Sequence, residues 1–163
     1  MNEVHLHLVV NHLPIVGVLI GLLVLLTGSV LKKPEVKVTA LGIFVFSALA
    51  SIAAFYSGEG AEEIVEKIPG ISETLINAHK ESAELFFTVI LILGGISLIT
   101  MFLEIKKSKF AKYGFVLVFV LSVASGVIAE NVGTTGGEIR HSEIRNDANL
   151  IQIHSDDDDD DDD

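Results

Sequence analysis

Six histidines, His5, His7, His12, His79, His141 and His154, are the residues of this chain best suited to chemistry. Neutral imidazole is the commonest metal ligand of proteins and also an axial ligand of haem iron. The chain has no cysteine, which excludes disulfides, thiolate metal sites, cysteine-held iron–sulfur clusters and covalent c-type haem. Any metal must therefore be held by nitrogen or oxygen donors. Glu81 and Glu84 beside His79, Glu130, and Glu138 near His141 offer carboxylates that could complete an oxygen-rich site or carry protons; the plainer alternative is solvated helix ends. The only arginines, Arg140 and Arg145, lie in the run Gly136-Gly137-Glu138-Ile139-Arg140-His141-Ser142-Glu143-Ile144-Arg145. Guanidinium forks suit carboxylates, haem propionates among them, and local ion pairs with Glu138 and Glu143 are the alternative. No nucleophile elbow, phosphate loop or zinc-protease helix occurs, so no independent catalytic activity is indicated.

The elements that must position these groups are apolar. Of the 163 residues, 50% are hydrophobic, and the mean hydropathy of +0.56 exceeds that of an ordinary soluble domain. Four stretches, 13–31, 38–58, 85–103 and 113–129, carry no charged side chain, and each is about long enough for an α-helix to cross a hydrocarbon core. Lipid admits only helices and closed barrels, and these runs are too long and too little alternating for barrel strands. The expected fold is therefore an all-α integral membrane protein, an up-down bundle of four transmembrane helices over residues 1–150, with a short amphipathic helix in the outer loop. Residues 151–163 form an acidic tail whose aspartates at 156–163 supply eight of the eleven net negative charges; such a run repels itself and is expected to be disordered. Met1-Asn2-Glu3-Val4 lacks the positive region of a signal peptide, so the first helix is expected to stay in the mature protein.

Lys32, Lys33 and Lys37 lie between spans one and two, and Lys106, Lys107, Lys109 and Lys112 between spans three and four. The positive-inside rule places both loops in the cytoplasm. Both termini and the loop at 59–84 then face outward, which for a bacterial inner membrane is the periplasm. No basic stripe with interleaved aromatics is present, so nucleic-acid binding is unsupported. In the outer loop, 59–68 reads as a charged helix ending at Pro69-Gly70, with Ser72 placed to cap the next helix. Leu75, His79, Ser82 and Phe86 share one face of that helix. Gly17 and Gly21 have the spacing of a close-packing face.

With this topology all six histidines lie on the outward side, and those preceding spans one and three or following span four come to one level. On an ideal helix His5 and His12 point the same way, whereas His7 and His12 diverge by about 140°. Pro14 is expected in a first helical turn, leaving 4–11 less regular. His5, His7, His12, His79 and His141 are the candidate metal ligands, and Arg140 and Arg145 join His7, His12, His79 and His141 as candidate cofactor-binding residues.

Four places resemble a bacterial family of small four-helix membrane proteins designated domain of unknown function 2231. They are His7-Leu8-Val9-Val10-Asn11-His12-Leu13-Pro14, Ser57-Gly58-Glu59, Ala78-His79, and Gly136-Gly137 with His141. Their order and spacing cover nearly the whole chain; His5 and the terminal aspartates have no place in that pattern. The resemblance implies the four-helix fold and singles out His7, His12, His79 and His141, but no activity. From residue chemistry, the leading expectation is a b-type haem subunit for electron transfer. A non-haem iron, copper or zinc site built on His12, His79 and His141, or a structural subunit of a membrane complex, are the alternatives. The partners implied are the lipid bilayer and either redox proteins or a second copy of the chain.

Overall fold

The computed structural model describes residues 2–68 and 71–145; Pro69, Gly70, His154 and the whole acidic tail lie outside the described residues. The described chain is helical throughout, with α1 at Glu3–Val10, α2 at His12–Val30, α3 at Pro34–Val65, α4 at Glu73–Ile105 and α5 at Ala111–Glu138, then a short 3₁₀ turn at Ser142–Ile144. Four stretches are long and apolar enough to cross a membrane: Glu3–Val30, Pro34–Val65, Glu73–Ile105 and Ala111–Glu138.

Each boundary has a local cause. Pro14 has no N–H to give the Val10 carbonyl four residues back, and α1 stops at Val10. The break is slight, because Asn11 keeps helical dihedrals and donates its N–H to His7 O at 2.9 Å. Residues 4–10 are thus more regular than the proline suggested. Pro34 starts α3 at the position where a missing N–H costs nothing. Helices α2 and α4 end alike. Lys32 (φ 54°) and Lys107 (φ 52°) adopt the left-handed conformation, while Lys33 N–H donates to Gly28 O and Ser108 N–H to Leu103 O, each at 2.9 Å. These are Schellman closures with lysine where glycine is usual.

The helix expected at 59–68 is not separate: α3 runs unbroken from Pro34 to Val65, with no proline inside it to interrupt the hydrogen-bond ladder. Ser72 does stand at the N-cap of α4, but its side chain makes no capping hydrogen bond.

The helices pack in a ring, α2 on α3, α3 on α4, α4 on α5, and α5 back on α2 through the loosest seam of the four. Glycines set the closest approaches. A Cβ at Gly17 would collide with Ser47 Oγ, one at Gly94 with Ala48 Cβ and one at Gly114 with Thr100 Oγ1, while one at Gly21 would lie 2.6 Å from the Phe44 ring. Only a hydrogen lets these backbones meet, as in membrane helix pairs generally. Between these contacts Val18, Leu41, Phe44, Ile90, Leu93 and Val118 are fully buried. Large apolar side chains on the outer faces, such as Leu23, Leu49, Ile99 and Val116, stay more than 45% exposed. A soluble protein would hide them; a lipid-facing surface does not need to.

Candidate functional site

At the end of the bundle opposite the lysine-rich turns, α1, the start of α2, α3, α4 and α5 enclose a cavity of about 550 Å³, within the range of cofactor and ligand sites. Its walls are mostly apolar. Phe55 of α3 and Phe87 of α4 stack at 4.4 Å and 10°, and Ala54, Ala83, Gly58 and Gly136 keep space open beside them. His7, His12, His79, His141 and Arg140 all line it.

Two of these histidines are built in the same way. His7, half-buried, reaches from α1 to α3, where its Nδ1 lies 3.0 Å from Ala54 O and 3.4 Å from Ser57 Oγ. Its ring lies flush on Gly58, where a Cβ would come within 3.1 Å of Cε1. His79, also half-buried, reaches from α4 to α5, where its Nδ1 lies 3.2 Å from Thr135 Oγ1. Its ring lies against Gly136, where a Cβ would come within 3.0 Å of Cε1. Each receiving helix thus presents a hydroxyl residue followed by glycine, Ser57-Gly58 in one case and Thr135-Gly136 in the other.

The partners fix the tautomers. A carbonyl only accepts, so His7 must carry its proton on Nδ1 and donate it to Ala54 O. The Thr135 hydroxyl spends its own proton on Asn131 O at 2.9 Å, so its oxygen is left to accept from His79 Nδ1–H. In both neutral rings Nε2 is therefore the unprotonated nitrogen, and neither Nε2 has a hydrogen-bond partner among the described residues. Orienting a ring through Nδ1–H while Nε2 stays free is how proteins prepare imidazole to ligate a metal.

The other candidates are arranged differently. His12 is exposed at the start of α2, and its Nδ1 hydrogen-bonds the side chain of its neighbour Asn11. His141 is exposed and pairs with Glu143 at 3.0 Å. The Glu143 backbone N–H, and after it that imidazole, hold the Glu143 carboxyl below the usual carboxylate range. His5 is exposed and outside the cavity lining. Arg140 stands exposed at the wall. The guanidinium of Arg145 is taken up by main-chain carbonyls, its Nε donating to Glu138 O at 2.8 Å and its Nη2 to Ile139 O at 3.3 Å, which closes the end of α5. Neither arginine is ion-paired among the described residues. Glu81, Glu84 and Glu130 are exposed, as solvated helix ends are. No three histidine, aspartate or glutamate side chains come together as a metal-holding group among the described residues.

Several contributors had no reading in the sequence as part of a site: the Ala54 carbonyl, the Thr135 hydroxyl, the Phe55–Phe87 stack, and Asn131, whose Nδ2 donates to Ser82 Oγ at 3.0 Å. The available signal was the hydroxyl–glycine pair repeated near the ends of spans two and four. No family model, curated protein or solved structure matches this chain.

Proposed function

We propose that this chain is a membrane b-type haem protein in which the cavity residues would hold the haem, with His7 and His79 supplying its protein ligands. The reading takes the four apolar helices as an up-down bundle across a bacterial inner membrane. The lysine turns then lie in the cytoplasm, and both termini and the cavity face the periplasm. On this view the chain belongs with the four-helix family it resembles.

The observation that carries the proposal is the pair of half-buried imidazoles, one from each hairpin. Both are held by Nδ1–H on the neighbouring helix, both have Nε2 free, and both line one apolar cavity. Two imidazole nitrogens would suit haem, whose ring supplies four ligands of its own, better than a bare ion that needs three or more side chains. Flat aromatic and small-residue walls accept a planar ring, and the exposed guanidinium of Arg140 is placed to meet propionates. Haem bound there would supply one-electron chemistry. The chain's own residues orient the imidazoles, exclude water with Phe55, Phe86 and Phe87, and keep the site near the periplasmic surface, within reach of a redox partner.

The test is haem content of the purified full chain beside the single variants His7→Ala and His79→Ala. Both substitutions are expected to abolish retained haem or leave a weakly held, five-coordinate form. Wild-type content in both variants would refute the ligand assignment.

A further inference from the structure

The α2/α5 seam at the opposite end of the bundle holds a second opening, an apolar groove of about 330 Å³ lined by Leu25, Leu26, Ser29, Phe115, Val116 and Phe119. The seam is open because little on α5 meets α2: a Cβ at Gly126 would touch only Leu19 Cδ2, at 4.0 Å. One charged side chain reaches its end. Lys37 of α3 runs its stem across Gly28 of α2, where a Cβ would lie 2.9 Å from Lys37 Cγ. Its ammonium then comes to rest 4.2 Å from the centre of the Phe115 ring of α5. Lys37 is half-buried and has no carboxylate partner among the described residues. The surrounding turns carry six more lysines, at 32, 33, 106, 107, 109 and 112, against only Glu35 and Glu104. None of these lysines is ion-paired among the described residues either.

We infer that this groove is a binding site for an anionic phospholipid, with an acyl chain laid along Leu25, Leu26 and Phe119 and the phosphate on Lys37. The inference rests on the transmembrane reading and not on the haem. A half-buried ammonium over an aromatic face keeps part of its charge uncompensated. Placed at headgroup depth, beside an apolar slot and in a field of like charge, it matches a group that is anionic at one end and hydrocarbon at the other. Basic pockets between helices on the cytoplasmic side select anionic headgroups for this reason.

The test titrates the purified full chain, in a neutral detergent, with phosphatidylglycerol or phosphatidylcholine, read by native mass spectrometry. One lysine near the surface favours an anionic lipid by about fivefold in affinity, so at least that preference is expected for phosphatidylglycerol. Lys37→Gln should remove most of the preference, Lys37→Arg should keep it, and Leu26→Trp should weaken both lipids by filling the slot. Helical circular dichroism at wild-type strength qualifies each variant. Equal affinity for the two lipids, a preference that survives Lys37→Gln, or a second copy of the chain cross-linked into the α2/α5 seam would overturn the proposal.

Discussion

Adding one methyl group at Gly136 should damage the cavity without destabilising the fold. A Cβ there would sit 3.0 Å from His79 Cε1 and 3.2 Å from Nδ1, whereas carbon contacts relax at about 3.5–4.0 Å. The ring must withdraw by roughly half an ångström, which stretches the 3.2 Å bond to Thr135 Oγ1 beyond hydrogen-bond range. Losing that bond costs about 0.5–1.5 kcal/mol, while alanine in place of glycine inside a helix returns about 1 kcal/mol. The two nearly cancel, so the melting temperature should barely move. Nε2 moves with the ring, however, and a ligand site tolerates only about 0.5 Å of misplacement. Haem affinity should fall by about 10-fold or more, the usual effect of disturbing a ligand's supporting bond. The assay is a haem titration of the purified variant followed at the Soret band, paired with a thermal melt. Gly95→Ala, where a Cβ meets nothing within 4 Å and which is outside the cavity lining, is the control and should bind normally. If Gly136→Ala binds haem as tightly as Gly95→Ala, His79 is not positioned through its contact with Gly136 and its bond to Thr135.

Other outcomes follow from the same structure. Thr135→Val and Ser57→Ala should each weaken haem binding only about 2- to 5-fold, because His79 keeps its bond to the Val132 backbone and His7 its 3.0 Å bond to Ala54 O; loss of binding in either variant in the titration would contradict the partner assignment. Gly21→Ala drives a methyl group to 2.6 Å from the Phe44 ring and should cost about 1–3 kcal/mol, seen as a lower melting temperature with no change in the haem spectrum. Lys32→Gly and Lys107→Gly relieve left-handed backbone in both Schellman turns. Each should stabilise by about 1 kcal/mol in a denaturant titration; no gain would show that the left-handed lysines carry no strain. His141→Gln removes only an exposed pair and should leave the melting temperature within about 0.5 kcal/mol of stability.

Much of this was legible because membrane helices announce themselves by hydropathy, and four charge-free runs of about twenty residues suit a lipid core and little else. The shared face of Leu75, His79, Ser82 and Phe86 was readable from helical spacing, and three of the four are buried, with His79 half-buried. The length of α3 was not. Glu59 to Val65 is charged enough to suggest a break, yet no proline interrupts it, so the helix continues to Val65. Nor could spacing reveal that His7 and His79 differ from His12 and His141, because the distinction lies in partners 47 and 56 residues away. The carbonyl partners of Arg145 were hidden for another reason: main-chain acceptors leave no mark in a sequence. The left-handed lysines were equally hidden, since glycine is the usual signal for such a turn.

The most direct test of the central claim is the absorption spectrum of the wild-type chain, purified from membranes with haem available, before and after reduction. Ligation by His7 and His79 predicts a Soret band with sharp visible bands on reduction, characteristic of iron held by two imidazoles, at about one haem per chain. A spectrum without a Soret band, from protein that remains folded and helical, would contradict it.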